Sequence, residues 1–252
     1  MKLKRAAFTV VELLVVIAII AILASFFAPV IRSVKSAVFQ MASGRAAKQT
    51  LTATTLYMAD HDDTYPIAMY TTDDGSLQTW FGLQTSFGEF DSSKGMLSPY
   101  MKGKLGKDNT LQAEPYLGDE AGLGYNYGYL GSDLHIRRDF SKFPNCENPA
   151  RGSEIDQPST TIAYSTSSYY SAPWQEGDGK RYRFGFIDPP SGWNNNPNMD
   201  FRHGTAPVVD AKAKVVRHMG RAMVAFADGS TKSRKKPQIT DEMFQRRPEQ
   251  SY

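Results

Sequence analysis

Several groups of residues in this sequence have types and spacings that suggest chemistry. His218 stands ahead of Asp228-Gly229-Ser230 with nine residues between it and the aspartate. A Ser-His-Asp arrangement using Ser230 can be drawn for nucleophilic catalysis, but neither a nucleophile elbow nor a separate oxyanion signal accompanies it. His203, His218 and Asp228 offer a metal set that lacks characteristic ligand spacing. The expected role is structural: His218 anchors the chain entering a hairpin by hydrogen bonding, and Asp228 and Gly229 serve its two-residue turn. Asp60-His61-Asp62-Asp63 and Asp73-Asp74-Gly75 concentrate acids without the repeating pattern of a calcium loop, and fit a helix end and a turn. Gly122-Leu-Gly124-Tyr-Asn-Tyr-Gly128 carries its third glycine one position late for a dinucleotide loop and reads as sheet and turn. No enzyme activity, metal or cofactor is expected.

A further candidate is Glu12, set in an apolar run. From Leu13 to Ile31 there is no charge. A helix from Phe8 to Val30, rising about 1.5 Å per residue, covers roughly the 30 Å of a bilayer core. A carboxylate in such a helix costs on the order of 2.5–3.5 kcal/mol near the bilayer centre, less near an interface, and calls for a partner. Its place in the first turns suits the positive end of the helix dipole. Were the chain cut between Ala7 and Phe8, the new α-amino group would be a cation available to Glu12 of a neighbouring copy. Ahead of the run, Lys2, Lys4 and Arg5 favour a cytoplasmic N-terminus and an extracytoplasmic remainder. A cleavable secretory signal fits less well, because its apolar core is shorter and would not continue into a helical pattern.

Ala7-Phe8-Thr-Val-Val-Glu12-Leu-Leu-Val-Val-Ile-Ala-Ile-Ile-Ala-Ile-Leu-Ala resembles the processing and methylation segment of type IV prepilins and type II secretion pseudopilins. The resemblance implies cleavage by a prepilin peptidase after Ala7, which stands where the family usually has Gly, and N-methylation of Phe8. It also implies that Glu12 registers adjacent subunits, and Pro29 falls where the family tends to bend its helix. Near the other end, Arg217-His218-Met-Gly-Arg-Ala-Met-Val-Ala-Phe-Ala-Asp228-Gly229 resembles the H-x9-DG motif of a large group of prepilin-like proteins. The implied partners are the inner membrane, the peptidase, copies of the chain or other pilin-like subunits, and a secretion or pilus assembly platform. The implied product is a pseudopilus or pilus filament. A tethered extracytoplasmic ligand-binding module that does not polymerise is the competing reading.

These residues need elements to position them. The expected class is α+β and pilin-like: a leader over 1–7, a membrane and assembly helix over 8–31, an amphipathic stalk over 32–62, and a mainly antiparallel sheet domain over 63–252. Val34, Val38, Met41, Ala42, Ala46, Ala53, Leu56 and Tyr57 recur at helical spacing and mark the stalk's packing face. Pro29 interrupts the helical run and is expected to kink rather than end it. Thr160–Tyr164 and Arg181–Ile187 read as strands, and Met223 onward as a hairpin. Thr240 is placed to cap a short helix through Phe244. Tyr169-Tyr170 and Pro173-Trp174 fit the core better than an exposed stacking surface. Thr205–Val216 looks inserted between two arginine-histidine pairs, Arg202-His203 and Arg217-His218. One cysteine, Cys146, excludes an internal disulfide. A net charge of +3 gives no pull toward nucleic acid, and none is expected as a partner.

Overall fold

The computed structural model describes residues 9–101, 108–111, 113–116, 121–171, 178–192, 197–204, 208–210 and 215–247, with side chains for all of these except 28–30, 32, 33, 208–210 and 215–217. Helix α1 runs unbroken over Val10–Asp60, passing through Pro29. Its chain divides into two compact units after Val38. In the first unit, Val10–Phe27 is a window of mean hydropathy 2.9 with none of its residues buried. The helix is thus long and apolar enough to cross a membrane.

The second unit begins with the stalk half of α1 and continues as an α+β arrangement. Strands β1 (Met69–Thr71), β2 (Leu77–Thr79), β3 (Gly82–Gln84) and β4 (Phe90–Asp91) form an antiparallel meander. After β5 (Glu114–Pro115) come β6 (Leu123–Asn126), the short helix α2 (Leu134–Arg137) and β7 (Ile162–Thr166). Then follow β8 (Tyr169–Tyr170), β9 (Arg181–Arg183), β10 (Phe186–Ile187), β11 (Val208–Asp210) and β12 (Val215–Arg217). The last strands are β13 (Arg221–Phe226) and β14 (Thr231–Lys235). The main sheet has the order β10-β6-β7-β13-β14 and is antiparallel except where β10 runs beside β6. A bulge at Ala163 lets Tyr164 face Ala225 while Ile162 faces Phe226.

Both faces of this sheet are covered, which is why β13 reads as a nearly continuous apolar run. Ala222, Val224 and Phe226 join Ile162, Ile187, Met199, Phe201, Ile239 and Phe244 in one cluster. On the other side Ala225, Tyr125 and Tyr164 pack with Ala47, Leu51 and Ala53 of α1 and with Trp80. Trp80 is fully buried, and its indole N–H donates to Gly185 O at 2.9 Å.

The buried stripe of α1 matches the expected one at Ala53, with Ala46 and Tyr57 partly buried against the same core, and differs elsewhere. Ser43, Ala47, Thr50, Leu51 and Thr54 face inward, whereas Val34, Val38, Met41 and Leu56 are exposed. Size explains the difference: small residues bring the helix axis close to the sheet, and the hydroxyls need no water. Thr50 and Thr54 donate to the carbonyls of Ala46 and Thr50, each at 3.0 Å, and Thr54 Oγ1 also meets Tyr164 OH at 2.7 Å. Helix α1 ends at Asp60, two residues short of the expected stalk boundary, because Asp62 and Asp63 both take positive φ. Asp63 then serves as a local staple, accepting from the N–H groups of Gly152 and Ser153.

Candidate functional site

The N-terminal site lies at the first turn of α1. Thr9 carbonyl accepts the first helical bond, from Leu13 N at 3.2 Å. Thr9 Oγ1 accepts from Glu12 N at 3.2 Å, and Glu12 Oε2 accepts from Thr9 N and Thr9 Oγ1, both at 2.8 Å. This reciprocal pattern is a capping box, formed because Thr and Glu stand three residues apart at a helix start. The sequence leaves Glu12 calling for a partner; the structure supplies one locally for one of its oxygens. The other, Oε1, has no partner among the described residues. Thr-x-x-Glu was the signal that would have revealed this arrangement. Ala7 and Phe8 lie outside the described residues.

The second site surrounds β13. Six strand residues at about 3.3 Å each put His218 and Asp228 on the order of 20 Å apart, at opposite ends. The nine-residue spacing is therefore the length of a strand with its flanks, and the triad of Ser230, His218 and Asp228 is not assembled. Asp228 Oδ1 instead accepts from Ser230 N at 2.8 Å. No group of three or more His, Cys, Asp or Glu side chains suited to a metal occurs among the described residues.

The turn itself also differs from expectation. Phe226 N donates to Ser230 O at 2.9 Å and Gly229 N to Phe226 O at 3.0 Å, with Gly229 at φ +89°. The connection has three residues, Ala227 to Gly229, in the pattern of a type I turn followed by a left-handed residue. Glycine is required because that conformation strains a side chain bearing Cβ. The Gly229 carbonyl accepts from Lys48 Nζ of α1 at 2.5 Å.

At the entering end, His218 Nδ1 meets Asp200 Oδ1 at 2.5 Å. Asp200 is fully buried, and its second oxygen accepts from Arg202 Nη1 at 3.0 Å. Arg202 Nη2 reaches Asp108 Oδ2 at 3.2 Å and the Gly122 carbonyl at 2.8 Å. Asp108 in turn accepts from Ser43 Oγ of α1, which also contacts Thr110 Oγ1 at 3.0 Å. Burial alone would raise the Asp200 carboxyl. The Arg202 guanidinium, the His218 hydrogen bond and the charge of Arg181 outweigh it and hold that carboxyl well below the usual range. His203 borders the same network. Burial first, and then Arg202, lower its imidazole to about 4, against the opposing pull of Asp108 and Asp200.

The chain between the two arginine-histidine pairs leaves and returns at one place. His203 and Arg221 exchange backbone bonds at 3.0 and 2.7 Å, and β11 pairs antiparallel with β12 between them. Gly220 is needed at this closure, since a Cβ there would stand 2.0 Å from His203 O. Tyr169 and Tyr170 are half-buried, Tyr169 lying against Tyr116 and Phe184. Pro173-Trp174 falls outside the described residues. Cys146 is buried, which pushes its thiol up to about 11 and leaves it a poor nucleophile.

No curated protein and no solved structure matches the chain. Residues 2–28 match the family model described as the prokaryotic N-terminal methylation motif. Together with the apolar helix that begins inside this segment, the match supports a prepilin-like N-terminal segment.

Proposed function

We propose that this chain is a structural subunit of a pilus-like filament, either a type IV pilin or a type II secretion pseudopilin. Prepilin peptidase cuts between Ala7 and Phe8, Phe8 is methylated, and the helix resides in the inner membrane with its N-terminus cytoplasmic until an assembly platform extracts it. The supporting observation is an 18-residue apolar window, placed behind a processing motif, with no side chain buried by the chain itself. Such a surface requires lipid or neighbouring helices to cover it. In the filament, copies of the helix replace lipid.

Glu12 has two roles in this reading. Its Oε2 caps its own helix, and its Oε1 is available to the amino group of an adjacent Phe8. The cap survives processing, because Thr9 retains its amide N–H when Phe8 becomes the first residue. Cysteines introduced singly along the apolar helix of the processed protein test assembly: the proposal expects disulfide-linked copies at helix-facing positions. Copies that never cross-link at any position would favour a tethered module instead.

A further inference from the structure

The H-x9-DG segment has no chemical role in the filament reading, yet both of its ends reach the same helix. At the entering end a continuous chain of contacts runs His218–Asp200–Arg202–Asp108–Ser43, ending on α1. At the leaving end Gly229 O accepts from Lys48 Nζ of α1. Between them Met223 is tight against the helix, its terminal methyl 3.1 Å from where a Cβ on Gly44 would stand. Ser43 is thus linked through that chain to the start of the segment, Gly44 lies against its middle and Lys48 bonds its end.

We propose that the H-x9-DG segment is a two-ended clasp that holds the stalk half of α1 on the sheet, with His218 a positioning residue that acts through Asp200. The nine-residue spacing follows from geometry, since the strand between the two ends must cross the helix. His218 acts indirectly. Its N–H fixes one oxygen of a buried carboxylate whose other oxygen orients Arg202, and Arg202 presents Asp108 to Ser43. Without that N–H, Asp200 Oδ1 is left with Arg181 Nη1 at 4.0 Å, beyond hydrogen-bond distance, and with the Arg202 guanidinium on its sister oxygen. Asp200 then draws Arg202 toward itself and away from Asp108. At the other end, the left-handed Gly229 aims its carbonyl outward, toward a lysine rather than into the hairpin.

Amide hydrogen exchange on the full-length chain in detergent tests the clasp, and the readout is independent of whether Phe8 has been processed. His218→Ala, and separately Lys48→Met, are expected to speed exchange over residues 43–60 by about tenfold, the size expected for losing one charge-assisted hydrogen bond. The amides of β6 and β7 should keep their rates. His218→Asn places an N–H donor where Nδ1 stands and should restore slow exchange, which a purely space-filling role would not predict. Unchanged exchange over 43–60 in both loss variants would overturn the proposal. So would an equal rise across β6, β7 and α1, or a failure of His218→Asn to restore protection. Lys48 is exposed, so its variant keeps the test decisive if His218→Ala does not fold.

Discussion

Glu12 shows how much a single residue can change meaning between sequence and structure. Within an apolar stretch it reads as a charge seeking a neighbour; in the folded helix it is half of a capping box with Thr9. Thr9→Val should therefore cost about 1 kcal/mol of helix stability, measured as lost helicity in detergent, and Glu12→Gln less, since glutamine also fits the box. Equal helicity in wild type and Thr9→Val would show that the cap does not matter. His203 makes a second prediction at this scale. Its folded value is about 4 against an ordinary 6.5, so the unfolded chain takes up the proton first. Its contribution is complete above about pH 6.5 and declines, by on the order of 2–3 kcal/mol, as pH falls toward 4. Asp200 is held low, so its contribution persists through that window and is lost only below the ordinary carboxylate range of about 3.9. His203→Asn should flatten the slope of stability between pH 6.5 and 4; an unaltered slope would assign it to other groups.

Among the elements, the β13–β14 hairpin was the most legible, because Asp-Gly and a run of apolar residues point to a turn and a buried strand. Its loop length was not legible: Gly229 supplies positive φ equally well in two- and three-residue connections. Gly229→Ala should cost about 1–3 kcal/mol in unfolding measurements, for strain rather than for lack of space. The packing face of α1 is legible only in part, for a physical reason: Ala46, Ala53 and Tyr57 pack inward as periodicity expects, and Val34, Val38, Met41 and Leu56 do not. Periodicity weights large apolar residues, whereas this interface is built from Ser43, Ala47, Thr50 and Thr54, whose small size permits close approach and whose hydroxyls bond locally. Ala47→Leu should accordingly destabilise by about 1–3 kcal/mol through overpacking, while Met41→Ala on the exposed side should change stability little. The reverse order would put the interface on the face that periodicity favours. The network around Asp200 was out of reach of spacing arguments, since Ser43, Asp108, Asp200 and His218 are brought together only by the fold.

For the whole molecule, the two ends of the chain supply different kinds of information. The first 28 residues carry the motif that speaks to processing and membrane residence. The sheet domain speaks to how the stalk is held, through β13 and its anchored ends. An apolar helix without internal burial, followed by a domain with two closed apolar clusters, suits a subunit that changes the surroundings of its helix while its sheet stays folded. The filament account depends most directly on the junction between Ala7 and Phe8. Intact-mass measurement of the protein purified from cells with active prepilin peptidase tests it. A mature chain beginning at Phe8 and carrying one added methyl group is expected; an unmodified chain still beginning at Met1 would contradict the filament reading.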